Sequence, residues 1–140
     1  MATLMQFEVL SPDKYVFKAD DVTYVEAITV WGGVGILPRH ATMIGTLKEA
    51  PLKYRDKEGF AHFICVDGGF LEVKDNKVTV LTVNAETADA INVNRAQASF
   101  ERAKNRLSHL EKDINVERVM QSLHRAEARL KTVKLAAEGK

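Results

Sequence analysis

The chain has 140 residues, enough for one ordinary core or for a small core with a helical appendage, and too few for two full-sized domains. Apolar residues make up 46% and charged residues 28%, with 20 basic against 19 acidic side chains, which excludes a disordered chain and gives no electrostatic footprint of nucleic acid. The longest apolar runs, such as Phe63-Ile64-Cys65-Val66, fall far short of the roughly 20 residues that cross a bilayer, and Met1 to Leu10 carry neither a secretory nor a transit pattern. A cytoplasmic chain, reaching a membrane only through a partner, is therefore expected.

From Met5 to about Val83 apolar residues recur with period two in short runs, as Met5, Phe7 and Val9 do around Gln6 and Glu8. Turn formers punctuate the runs at Ser11-Pro12-Asp13, Gly32-Gly33, Pro38, Pro51, Asp56 to Gly59, Asp67-Gly68-Gly69 and Asp75-Asn76. Short strands spaced this regularly predict a sandwich or barrel. Trp31, at a strand end beside Gly32-Gly33, is expected to pack in the core rather than to face a partner. Gly68-Gly69 is expected to supply positive φ or close backbone packing at a turn, rather than to bind phosphate. Cys65, alone in its apolar run, is expected to be a small buried hydrophobe. The β-branched run Val78 to Val83 is the last predicted strand.

After Asn84 the period becomes helical. Val93, Ala96, Phe100, Ala103, Leu107 and Leu110 alternate spacings of three and four, and Val116, Val119, Leu123, Ala126, Leu130 and Val133 repeat them. A short polar link around Glu111-Lys112-Asp113 separates the two, which predicts an antiparallel helical hairpin. Asn92 and Asn115 are placed to cap the first turns, with Ile91 and Ile114 stapling to Ala96 and Val119. The fold class that follows is α+β: an N-terminal all-β sandwich over residues 1–86 and a C-terminal antiparallel two-helix hairpin over residues 87–140.

Arg95, Ser99, Arg102 and Arg106 correspond to Arg118, Ser122, Arg125 and Arg129 at a constant offset of 23 residues, so the hairpin reads as an internal duplication. None of the six arginines has Asp or Glu three or four residues away on its own helix, so local ion pairs do not satisfy them. Either they form a solvated flank that covers the seam, or they meet an anion; Arg125 and Arg129, one turn apart, suit a phosphate or a carboxylate cluster. No catalytic or metal constellation is present: His40, His62, His109 and His124 are scattered, and Gly32, Gly33 and Gly35 lack the Lys-Ser or Lys-Thr of a phosphate-binding loop.

Five segments in order resemble the epsilon subunits of bacterial F-type ATP synthases: Val9-Leu10-Ser11-Pro12-Asp13, Gly35 to His40, Gly68 to Val73, Ile91-Asn92-Val93-Asn94-Arg95-Ala96 and Arg125 to Leu130. The resemblance implies a non-catalytic rotor subunit on the cytoplasmic face of the bacterial membrane, peripheral to it. Its implied partners are the gamma subunit, the c-subunit ring, and the alpha and beta subunits, with no nucleic acid; its hairpin would regulate ATP hydrolysis. It implies rotor contacts at Trp31 and His40, and contacts of Arg118, Arg125 and Arg129 with an acidic loop. It also implies a regulatory ATP site at Glu86, Asn92, Arg95, Arg125 and Arg129, with no required cofactor and no metal. Asn92 stands where the family carries Asp, so ATP is expected to bind weakly; Trp31 to Val34 stand where many relatives have a polar or acidic residue between the glycines, which is expected to alter a contact to the rotor ring. A free-standing ATP sensor built on the arginine stripes and an enzyme with an unrecognised site are the other classes open to this sequence.

Overall fold

The period-two segments form seven strands: β1 (Met5–Ser11), β2 (Lys14–Thr29), β3 (Gly32–Ile36), β4 (Met43–Asp56), β5 (Ala61–Lys74), β6 (Lys77–Leu81) and β7 (Ala85–Thr87). The computed structural model describes residues 3–139, so Met1, Ala2 and Lys140, at the ends of the two expected regions, lie outside the described residues. Strand order runs β1-β6-β5-β4-β2-β3, and β1 also pairs with β2, so the ladder closes on itself. Phe7 shows the closure, lying opposite Ala19 of antiparallel β2 and Val78 of parallel β6. The long strands turn from one layer to the other: β2 serves β1 up to Val22 and β4 and β3 beyond it, with a bulge between Val22 and Tyr24.

Alternation then buries one face of every strand. Phe7, Val25, Ile36, Leu52, Leu71 and Val80 are among the side chains removed from solvent. Phe7, Phe17 and Tyr54 meet as tilted rings with centroids 4.9 to 5.7 Å apart. Gly69 has φ of 114°, and a Cβ there would stand 2.0 Å from the Leu81 carbonyl oxygen, so the close approach of β5 to β6 requires glycine. The turns expected at Asp67-Gly68-Gly69 and at Pro51 do not form, because β5 and β4 run through them with their pairing intact.

The last predicted strand is shorter than expected, because Thr82 and Val83 leave the ladder after Leu81. The chain instead returns to β5 through β7, which the sequence did not reveal: Ala85-Glu86-Thr87 is too short to show a period. The expected boundary between residues 86 and 87 thus falls inside β7. A single 3₁₀ turn at Ala88–Ala90 leads into α1 (Val93–Ser108) and α2 (Val116–Glu138). Both asparagine caps form, with Asn92 Oδ1 accepting from the Arg95 amide at 3.0 Å and Asn115 Oδ1 from that of Arg118 at 3.2 Å.

The helix seam is narrower than its pattern. Ala96, Ala103, Val119 and Ala126 are buried, whereas Val93 and Val116 are exposed in the first turns. Leu110 lies beyond the end of α1 and is 62% exposed, so the link is longer than Glu111 to Asp113. In exchange α2 has a second buried face that the heptad spacing hid: Ala128 and Thr132 lie against the sandwich, where Ala128 and Val133 pack with Cys65 and Ile91. None of the described helices is long and apolar enough to cross a membrane.

Candidate functional site

The sandwich and the hairpin leave a cleft of about 770 Å3 between them. Antiparallel helices arrange its walls in levels one turn apart. Asn92 and Arg129 lie nearest the sandwich, beside Glu86 of β7; Arg95 and Arg125 lie a turn higher, and Ser99 and Ser122 higher still. Lys14 and Tyr15, from the start of β2, line the opposite side. All five residues of the expected ATP site therefore border one cavity, whereas Arg118 does not line it and stays exposed on the first turn of α2.

Arg129 differs from the rest of its stripe. Its Nε donates to Glu86 Oε1 at 2.6 Å, its Nη2 to Asp67 Oδ2 at 3.1 Å, and its Nη1 to the Arg125 carbonyl at 3.3 Å. Only 18% of the side chain is exposed, and 11% of Asp67. Burial by itself would lower the Arg129 pKa; the two carboxylates outweigh it and hold the pKa above its ordinary value. The arginine thus fastens α2 to β5 and β7 with charge-assisted bonds. Asp67 Oδ1 is buried without a partner, so this latch has more carboxylate than its one cation satisfies. Asp67 was legible only as a turn former ahead of Gly68-Gly69, and its ionic role escaped the pattern.

By contrast Lys14, Arg95 and Arg125 form no salt bridge with any described carboxylate. The cleft therefore combines three uncompensated cations with a pair of serine hydroxyls, the composition of an anion site. Lys14 and Tyr15 were missed because the start of β2 carries no sign of what folds over it. Cys65 lies beneath α2, and burial pushes its thiol up to about 11, opposed in part by the Thr132 hydroxyl. Among the described residues no three metal-ligating side chains gather.

Trp31 and His40 are not brought together: they stand beyond opposite ends of β3. Trp31 is 93% exposed, which overturns its expected place in the core. It occupies the tight β2–β3 turn, where Thr29 Oγ1 accepts from its amide and donates to the Gly32 carbonyl, so the indole is carried off the edge of the sheet. His40 is half-buried with Nδ1 bonded to the Ala41 carbonyl at 2.7 Å. Near Trp31 runs an exposed apolar row: Val30 bonds to Thr46, Thr46 lies opposite Phe70, and Phe70 opposite Leu81, with Ile44 two residues from Thr46 on the same face.

Residues 4–88 match the family described as ATP synthase, Delta/Epsilon chain, beta-sandwich domain, and residues 89–134 match its long alpha-helix domain. The ATP synthase epsilon chain of Desulforamulus reducens is 37% identical over 94% of this chain and 98% of its own length. That of Carboxydothermus hydrogenoformans is 44% identical over 77% of this chain and 79% of its own. In fold, a chain of the Euglena gracilis mitochondrial ATP synthase, solved as OSCP/F1/c-ring, superposes with a TM-score of 0.80 at 20% identity, covering 96% of this chain and 82% of that one. A chain of the Tetrahymena thermophila mitochondrial ATP synthase central stalk and c-ring gives 0.55 at 17% identity, with 96% and 94% covered. Matched along both its sandwich and its helices, the chain belongs to the delta/epsilon chain family of ATP synthases.

Proposed function

We propose that this chain is the epsilon subunit in the central stalk of a bacterial F-type ATP synthase, at the cytoplasmic face of the cell membrane and without chemistry of its own. It turns with the gamma subunit on the c-subunit ring, beneath the alpha and beta subunits. The exposed apolar row through Val30, Ile44, Phe70 and Leu81 carries this proposal. The sandwich already has a complete core, so a contiguous apolar face outside it is suited to a protein partner. Relatives named as ATP synthase epsilon chains, and a similar fold in a central stalk and c-ring assembly, point to gamma and the ring as its occupants. Tagged protein drawn from its native cell should bring alpha, beta and gamma subunits with it, and Phe70→Glu, on an exposed position, should lose gamma while the fold remains. Capture of none of the three subunits would end the proposal.

The hairpin adds regulation. Its contact with the sandwich rests on small side chains and one latch, so α2 can leave, and Arg118, Arg125 and a released Arg129 can then meet an acidic loop of the beta subunit. Closed, the cleft holds ATP weakly as a regulatory ligand, with Arg95 and Arg125 toward the phosphates. Deleting residues 115–140 should raise ATP hydrolysis by the assembled complex; unchanged hydrolysis in a coupled complex would rule out the brake.

A further inference from the structure

Among the described residues β3 pairs only with β2, in an unbroken antiparallel register from Thr29 opposite Gly32 to Val25 opposite Ile36. The two-residue turn at Val30-Trp31 makes Thr29 and Gly32 the closing hydrogen-bonded pair. Backbone groups alternate along such a ladder, so Gly32, Val34 and Ile36 face β2, while Gly33 and Gly35 turn their N–H and C=O to the open side. Both glycines are exposed. The usual protections of an edge are missing here: no charged side chain lies between Glu26 and Arg39, and β3 holds neither proline nor bulge. Val34 and Ile36 pack toward the core, so glycine at 33 and 35 leaves the outer face of the strand as bare backbone. Trp31 and Leu37 stand at its two ends, 93% and 61% exposed.

We infer that the β3 edge is a pairing site for a second copy of this chain, the two strands joining antiparallel about a twofold axis at Val34. Gly33-Val34-Gly35 reads the same in both directions, so this register sets Gly33 of each copy opposite Gly35 of the other. Both face the open side, and each opposed pair exchanges both of its N–H···O=C bonds. Val34 meets its own copy between them as the closer, non-hydrogen-bonded pair, which covers what the core leaves exposed of it. The same register brings Trp31 of one copy beside Leu37 of the other at each end. With no charge in the strand nothing repels across the axis, and glycine puts no side chain in the way. A second copy meets these requirements through its own sequence, and the twofold axis closes the assembly at two chains. Trp31 is also where the family resemblance implies a rotor contact, so the pair belongs to chains outside the assembled complex.

Two five-residue edges bury far less than the roughly 1,200 Å2 of a stable complex, so the pairing is weak and shows only in concentrated protein. Sedimentation equilibrium of the full chain from about 10 µM to about 1 mM should show monomer passing to dimer. Amide exchange followed by NMR over the same range should slow at Gly33 and Gly35, by about twofold where half the chains are paired, with Gly32 and Val34 unmoved because β2 already holds them. Gly33→Pro removes an N–H that faces away from β2, at a position with room for a side chain, so the monomer should keep its melting temperature while association weakens about tenfold or more. Trp31→Lys, on an almost fully exposed side chain, should weaken it as well, and carries the test if the proline variant fails to fold. A chain that stays monomeric at about 1 mM would overturn the inference and leave the edge to an extended segment of another protein. So would a dimer that survives both substitutions, or one that Phe70→Glu abolishes while exchange at Gly33 and Gly35 never slows, which would place the contact on the apolar row instead.

Discussion

The sandwich and the hairpin use opposite means of holding together. In the sandwich a closed ladder surrounds a core of large side chains removed from solvent, and the tight backbone approach at Gly69 has no tolerance for a side chain. In the hairpin the seam is mostly alanine, six arginines lie along its flanks, and attachment to the sandwich depends on Ala128, Val133 and one guanidinium. Apolar burial scales with area, so the sandwich stands alone while the hairpin stays closed only on condition. A large core with an arm held on by few contacts is the arrangement, and each half is expected to respond to substitution without the other.

The largest effects should come from the sandwich. Gly69→Ala forces a Cβ into the Leu81 carbonyl, and Phe7→Ala empties the centre of the aromatic cluster; each should cost about 3–5 kcal/mol. Urea denaturation should show both losses equally in the full chain and in a chain cut after Ala90. A smaller loss in the cut chain would mean that the hairpin shares the sandwich core.

Next comes the latch. Arg129→Met keeps the aliphatic stem but leaves Asp67 and Glu86 facing each other uncompensated, which should shift the hairpin toward opening by about 2 kcal/mol, less than for a fully buried pair because Glu86 reaches solvent. Cys65 reports this without a label. It is covered by α2, and with its pKa pushed up to about 11 it is almost wholly thiol at neutral pH, so alkylation must await opening. The substitution should speed alkylation about thirtyfold. An unchanged rate would show that alanine packing, not Arg129, closes the arm.

What the sequence disclosed follows the same division. Period-two strands, the two asparagine caps and the helical seam are local patterns, written in neighbouring residues, and the structure contains them with strand breaks missing at Pro51 and Asp67 to Gly69 and a seam narrower than its spacing. The features that join the halves are not local. β7 is three residues long, Asp67 looked like a turn residue, and the second face of α2 at Ala128 and Thr132 was masked by the stronger heptad of the seam. Trp31 was misassigned because aromatic burial is a rule about composition, whereas a tight turn with Gly32 at φ 125° puts its side chain outside. Long-range pairing of charge, as at Arg129, leaves no spacing to read.

Caps should have a smaller effect, confined to the arm. Asn115→Ala removes the acceptor for the Arg118 amide and should destabilise α2 by about 1 kcal/mol, seen as faster Cys65 alkylation with the urea midpoint of the sandwich unmoved. A moved midpoint would tie the two halves more closely than their contacts suggest.

The smallest effect is a pH dependence that belongs to the sandwich alone. At the β4–β5 turn Asp56 Oδ2 bonds His62 Nε2 at 2.8 Å, and Oδ1 accepts the amides of Glu58 at 2.9 Å and Phe60 at 3.1 Å. The His62 bond, then the two amides, hold this carboxyl below its ordinary value, and partial desolvation opposes them. Because the folded pKa is the lower one, the stabilisation is complete above the unfolded value near about pH 4 and is lost as pH falls through the folded value. The urea midpoints of the wild type and Asp56→Asn should therefore differ at neutral pH and converge in acid, by the same amount with or without the hairpin. Stacking of His62 on Tyr54, with centroids 4.8 Å apart, survives the substitution, so whatever pH dependence remains in Asp56→Asn cannot come from the carboxyl. A gap between the two proteins that stays constant from neutral pH into acid would mean that the turn is held by its backbone amides and stacking, with the charge of Asp56 contributing nothing.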